Sequence, residues 1–338
     1  MIESWSESMP WAKSFVTEAR RIGAHPMTLY EDEPEYWDAL KGGKPGSFGT
    51  VGSHEWAALA KTNAYIFFFG PNEWPRYDDL PDKAVERALA YNGEWYRRAA
   101  KAKLRGARMY LGRTSQRAAD HFGVDLDTWR NELVKGSLVP PATLHRTGQQ
   151  VGRRLLSGKR VSISHPNGTK LELRLKHYPI QLDDGLVDAA DLKAGNNVTV
   201  IPGGVVGVSV DESFGDGTVV GNQTVNLGGG PAGDARWTFR DGRLASYAYG
   251  RGAEHFEKPY RAAPKGRDKA GYLSIGLNPD LFMSPQMEDQ ELGAVTVRIG
   301  GNKFNGGRNP CPFLSWVVIR GADVSVDGHS LVKEGKLA

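Results

Sequence analysis

The hydrophobic pattern of this chain changes period once, and that change limits the folds open to it. Up to about residue 157, apolar stretches at helical spacing alternate with short apolar runs of strand length. Beyond that point the chain is mostly short strands between Gly, Asn and Asp clusters. Alternating strands and helices build a mostly parallel sheet with helices packed on it. Short strands punctuated by turn residues build an antiparallel, β-rich unit. The sequence therefore predicts an α/β protein of two domains. A doubly wound, mostly parallel α/β domain covers 1–157, and a β-rich α+β domain covers 158–338. A length of 338 residues agrees with two domains.

In the first half, Met1–Trp5, His25–Tyr30, Ala64–Phe69 and Ala107–Leu111 read as strands. Met9–Arg21, Glu33–Leu40, His54–Lys61, Asp82–Ala102, Thr114–Phe122 and Leu126–Val134 read as helices. Pro10 stands where a first helical turn accepts proline, and Gly23 closes that helix. Ala64–Phe69 is continuously apolar, as a buried parallel strand is. The turn Ser6–Pro10 after the first strand holds no G-x-G-x-x-G, so the sheet is not marked as a dinucleotide site. Val139-Pro140-Pro141 punctuates the chain before a last helix, Ala142–Leu156.

The second half carries the glycine excess that raises the total to 42. Val161–Ser164 and Lys170–Leu175 flank Pro166-Asn167-Gly168 as a hairpin. Further strands are expected at Asn197–Ile201, Gly217–Val220, Asp234–Phe239, Arg243–Tyr249, Gly271–Ile275, Gly293–Ile299 and Leu314–Ile319.

A net charge of +4 is mild for this length. The densest basic cluster is Arg97, Arg98, Lys101, Lys103, Arg105 and Arg108, with Asp78, Asp79, Asp82, Glu86 and Glu94 upstream. That mixture describes a solvated helix face rather than a nucleic-acid surface. The single cysteine, Cys311, excludes an internal disulfide and fits a reducing compartment. It lies between Pro310 and Pro312 and reads as a buried thiol rather than a nucleophile. The most apolar stretch, Ala64–Gly70, falls far short of the roughly 20 residues of a spanning helix, and the N-terminus has no signal-peptide pattern. A cytoplasmic protein with neither membrane nor nucleic-acid partner is expected.

Seven segments then appear in a telling order. They are His165-Pro166-Asn167-Gly168-Thr169-Lys170-Leu171, Ile201-Pro202-Gly203-Gly204, Val210-Asp211-Glu212-Ser213 with Gly217-Thr218-Val219, and Phe239-Arg240-Asp241-Gly242-Arg243. Gly276-Leu277-Asn278-Pro279, Leu292-Gly293-Ala294-Val295 and Gly306-Gly307-Arg308-Asn309 follow. The set resembles the aminopeptidase T family of metallopeptidases, and the Gly-Leu-Asn-Pro element resembles its dihydroxypyridine-dioxygenase-like branch. The resemblance covers about residues 160–335. It implies a homodimer and a divalent metal, iron or zinc, in the second domain.

Carried over residue by residue, the resemblance implies a degenerate metal site. The glutamate expected after Pro-Gly-Gly is Val205, and the strand ligand before Gly-Leu-Asn-Pro is Tyr272. The acidic pair is Glu288-Asp289, the strand histidine is Thr296, and the closing His-x-Asp pair falls on Leu314 and Trp316, or on Ser315 and Val317 with a shift of one residue. Only Asp289 keeps ligand chemistry, so an iron or zinc cofactor is not expected. None of His25, His54, His121, His145, His165, His177, His255 and His329 lies in the strands where ligands belong.

The candidate catalytic groups are therefore Tyr272, Glu288, Asp289 and His255. Paired carboxylates can share a proton, a phenol can donate to an oxyanion, and His255 sits between Glu254 and Glu257. Glu291, and Glu257 if it folds nearby, would extend the acidic knot. Arg308, Asn309, Asn278 and Trp316 are candidate substrate-binding residues, the arginine as a carboxylate anchor. His329, in Val326-Asp327-Gly328-His329, reads as part of a hairpin. The expectation is a divergent small-molecule enzyme that cleaves or hydrolyses an amide or a hydroxylated heterocyclic ring. The alternatives are an inactive descendant serving as a binding or assembly subunit, and a leucyl aminopeptidase-type metallopeptidase.

Overall fold

The computed structural model describes residues 1–42, 51–71, 82–227, 230–282 and 284–338. The strands are β1 (Ile2–Trp5), β2 (Thr28–Glu31), β3 (Ala64–Phe68), β4 (Arg105–Met109), β5 (Arg160–His165), β6 (Thr169–Asp183), β7 (Val198–Ile201), β8 (Val205–Val220) and β9 (Val225–Asn226). They continue as β10 (Pro231–Ala232), β11 (Arg236–Arg240), β12 (Arg243–Ala248), β13 (Ala270–Gly276), β14 (Val295–Gly300), β15 (Leu314–Ile319), β16 (Asp323–Val326), β17 (His329–Lys333) and β18 (Lys336–Leu337). The α-helices are α1 (Met9–Arg21), α2 (Glu33–Gly42), α3 (Ser53–Leu59), α4 (Asp82–Ala102), α5 (Gln116–Phe122), α6 (Leu126–Leu138), α7 (Pro141–Ser157), α8 (Ala189–Ala194) and α9 (Ala253–Ala262).

The chain divides into two compact units, one of residues 1–134 with 185–202, the other of 135–184 with 203–338. A single cut at 157 does not describe this division. β7 pairs in parallel with β4, Gly106 beside Val198, and so belongs to the first sheet. α7 packs on β6 and β8 in the second unit, with Leu144, Val151 and Leu155 in the same core as Val206 and Val208. Periodicity predicts what a strand is, but not which distant strand it will pair with.

In the first unit the sheet order is β2-β1-β3-β4-β7, and every pairing is parallel. Alternate strand residues face opposite layers, as the period of two requires. Ile2, Phe68 and Met109 pack with Ala12 and Phe15 of α1. Tyr65 and Leu104 pack with Leu59 of α3 and with Trp95 and Ala99 of α4. This is the expected doubly wound arrangement. The basic cluster is split by it: Arg98 pairs with Glu94 on α4, while Arg108 lies on β4 with its guanidinium 5.1 Å from the Tyr96 ring. Asp78 and Asp79 lie outside the described residues. No helix among the described residues is long and apolar enough to cross a membrane.

The second unit is built on a large antiparallel sheet, in the order β15-β14-β13-β8-β6-β5-β16-β17-β18, with β11 and β12 branching from β8 and β9 and β10 paired separately. β8 and β6 are far longer than the sequence predicts, at 16 and 15 residues. The first stretch of β8 pairs with β13 and its last stretch with β11, while β6 runs along its other edge. Between Leu173 and Leu175 of β6 the facing residue jumps from Gly215 to Val210, so residues 211–214 bulge out of the ladder. At Gly217 the backbone is at φ +116°, and a Cβ would lie 2.1 Å from the Lys170 carbonyl oxygen. Only glycine fits there.

Candidate functional site

Within the second unit, β8, β13, β14 and β15 lie side by side, and their register defines rows across the sheet. Ser209, Tyr272, Arg298 and Trp316 form one row. Gly207, Ser274, Thr296 and Val318 form the next. The intervening residues, including Val206, Val208, Leu273, Ile275, Val295, Val297, Val317 and Ile319, face the main apolar core. The opposite face therefore carries a polar strip. Strict alternation produces it, because β13 reads Tyr-Leu-Ser-Ile and β14 reads Val-Thr-Val-Arg.

The strip is deeply buried. Ser274 and Thr296 are both 0% exposed. Neither the Ser274 Oγ nor the Thr296 Oγ1 has a hydrogen-bond partner, and the same holds for the Arg298 Nε. The Tyr272 hydroxyl lies above Gly207, where a Cβ would stand 2.5 Å from it. The absence of a side chain at 207 makes room for that ring. The Arg298 guanidinium covers the Tyr272 ring at 5.0 Å, and its Nη2 donates to the Asp289 Oδ2 at 3.2 Å. Burial raises the Tyr272 phenol, Arg298 opposes the rise, and Asp289 and Asp183 add to it. The net effect keeps the phenol protonated as a donor.

Asp289 and Glu288 belong to the connection from β13 to β14, which folds back on the end of β13. Leu277 and Asn278 donate backbone N–H groups to the Gln290 carbonyl, and Leu292 donates to the Asn278 carbonyl. Glu288 is buried, and its Oε1 accepts the Gln286 N–H at 2.9 Å. Burial pushes the Glu288 carboxyl up to about 8, overcoming its backbone hydrogen bonds, with Asp289 adding repulsion. A carboxyl of that kind can exchange a proton near neutral pH.

The other candidate residues are placed as follows. Val205 and Leu314 open β8 and β15 on the same face, so the five substituted positions Val205, Tyr272, Thr296, Leu314 and Trp316 share one surface. Trp316 packs with Leu227 against Val225, Ala294 and Val318, an apolar seal over the outer part of the strip. The Asn278 amide donates to the Gly136 and Gly203 carbonyls, and its oxygen accepts the Asp280 N–H. The Asn309 amide likewise donates to Gly266 and Gly300. Both asparagines tie loops together rather than face a ligand. Arg308 is exposed, and its backbone N–H donates to the Glu212 Oε1 at 2.9 Å. His255 stands on α9 with its ring against Gly230, and none of its described contacts is to the strip. Glu257 pairs with Arg261 on α9, and Glu291 pairs with Arg320. Cys311 is buried, as expected.

Arg298 and Ser274 were not singled out from the sequence. The signal was present: each is two residues from a flagged position on its own strand, Arg298 from Thr296 and Ser274 from Tyr272, and in a strand i and i+2 share a face.

A divalent ion needs several nitrogen, oxygen or thiolate donors around one point. Valine, leucine and tryptophan supply none, and the threonine hydroxyl is a weak neutral donor. Among the described residues no group of three or more His, Cys, Asp or Glu could hold a metal ion. The residues present do not fit the metal.

Comparison with known proteins locates the fold. No protein-family model matches the chain, and no curated protein matches it in sequence. Solved structures do match in shape, two of them as follows. AmpT from Thermus thermophilus superposes with a TM-score of 0.72 at 15% identity, over 100% of this chain and 93% of that one. The fold is AmpT-like. The 2,5-dihydroxypyridine dioxygenase from Pseudomonas putida KT2440 superposes with a TM-score of 0.63 at 12% identity, over 100% of this chain and 90% of that one. At such identities what is shared is the fold.

Proposed function

We propose that this protein is a small-molecule enzyme that acts at the strip on β13 and β14 by proton transfer and hydrogen bonding from its own side chains. The carrying observation is Glu288, a buried carboxyl raised to about 8 next to the Asp289–Arg298–Tyr272 group. In this reading Glu288 moves the proton. Tyr272 donates to the oxygen on which negative charge develops. Arg298, held by Asp289, sets the field around the phenol. The substrate class is an amide or a hydroxylated heterocyclic ring, a choice supported by the shared fold with an aminopeptidase T-type protein and a dihydroxypyridine dioxygenase. The test is a turnover screen of amides and hydroxypyridines with chelated protein. Turnover that Glu288→Gln reduces by roughly 100-fold or more is expected, given typical contributions of general acid–base groups. Turnover untouched by that substitution would sink the assignment.

One observation favours a second reading, an inactive descendant that binds or assembles. The packing of Trp316, Leu227, Val225, Ala294 and Val318 closes the outer part of the strip with apolar side chains. Absence of turnover together with a stable complex of defined stoichiometry would select it.

A further inference from the structure

We infer that the Ser274 Oγ, Thr296 Oγ1 and Arg298 Nε form a subsite for the carboxylate of a small-molecule ligand. The inference rests on the reading that this face is the functional site, and it adds what the site holds. Three buried polar atoms without partners lie on one face of two adjacent strands. Ser274 and Thr296 face each other across the ladder, and Arg298 is two residues along from Thr296. Native proteins rarely leave buried hydroxyls unpaired, and three unpaired atoms on neighbouring positions of one face call for a common partner.

The chemistry of that partner follows from what the three atoms can do. An arginine Nε only donates, and the two hydroxyls can donate as well. Tyr272, a neighbour on the same face, is also held as a donor. An ammonium or amide N–H ligand would meet the positive guanidinium of Arg298 and leave its Nε unsatisfied. A neutral carbonyl oxygen offers about two acceptor positions, whereas a carboxylate offers about four and gains charge assistance from arginine. Asp289 accepts from the Arg298 Nη2, and among the described residues the Nε has no acceptor, so that edge is left for the ligand.

The probes are benzoate and pyridine-3-carboxylate, each set against its amide, titrated into the full chain by calorimetry and by thermal shift. The carboxylates are expected to bind and raise Tm, and each amide to bind about tenfold more weakly or worse. Thr296→Val and Ser274→Ala each remove one donor at nearly constant shape. Each is expected to weaken carboxylate binding by about tenfold, a lost charge-assisted hydrogen bond. Neither is expected to lower the Tm of the free protein, since an unpaired buried hydroxyl contributes nothing favourable. Absence of carboxylate binding overturns the inference, and so does unchanged affinity in both variants. Glu288→Gln separates this from the proposed catalysis. Carboxylate binding with an unimpaired Glu288→Gln enzyme removes only the catalytic assignment. An inactive Glu288→Gln enzyme whose parent binds no carboxylate removes only the subsite.

Discussion

At the scale of single residues, Glu288 makes stability depend on pH in an unusual direction. In the unfolded chain its carboxyl ionises near 4.5, and in the folded protein near 8. Between those values the folded state holds a proton that the unfolded state has lost. Its contribution to stability is therefore full below about 4.5 and declines as pH rises towards 8. The slope is roughly 1 kcal/mol per pH unit from this group alone. Glu288→Gln keeps the shape and removes the ionisation. Urea denaturation at pH 5 and pH 8 is expected to show the variant gaining on the parent as pH rises. Arg298 acts in the opposite sense. Arg298→Met removes the hydrogen bond that Arg298 donates to Asp289 and is expected to cost about 1–3 kcal/mol in the same assay.

At the scale of elements, β8 organises the second unit, and its bulge at 211–214 is where polar residues enter it. The Glu212 Oε1 accepts from the Asn302 amide and the Arg308 N–H, each at 2.9 Å. Burial alone would raise this carboxyl, but those donors and Lys176 hold it below the ordinary value. Its contribution is present above the unfolded value of 4.5 and is lost as pH falls through the lower folded value. Glu212→Gln is expected to destabilise by about 1–3 kcal/mol at pH 7, with the difference shrinking in acid as the parent protonates. Chemical denaturation across that range measures both. Further along the strand, Gly217→Ala forces a Cβ onto the Lys170 carbonyl and an L residue into φ +116°. A loss of about 2 kcal/mol or more is expected from the same assay.

At the scale of the whole molecule, much was legible in the sequence and some was not. The parallel order of the first sheet could be anticipated because strand and helix patterns alternate, and β2-β1-β3-β4 appeared in that class. By its pattern alone β7 reads as one of the second half's strands, because its pairing with β4 joins residues about 90 positions apart and leaves no local trace. The common face of Val205, Tyr272, Thr296, Leu314 and Trp316 follows from alternation. The partner of each charge does not: Glu257 pairs with Arg261 on its own helix, and the His255 ring lies against Gly230. The misfit between these residues and a divalent ion has a direct check. Equilibrium dialysis against zinc, iron and manganese, followed by elemental analysis, is expected to show well below one ion per chain, and a stoichiometric ion would contradict it.

The return of β7 to the first sheet also sets a condition on how the protein can be made. The ribosome delivers β1 to β4 long before residues 198–201, with α7, β5 and β6 emerging in between. Throughout that interval the growing chain presents one side of β4 with an open row of amides and carbonyls, a template for any strand nearby. A fragment ending at residue 157 would keep that side open for good. It is expected to aggregate or resist expression, while joining 185–202 to 1–134 through a short flexible linker is expected to yield soluble, cooperatively melting protein. The first unit is thus finished by a segment synthesised after part of its companion.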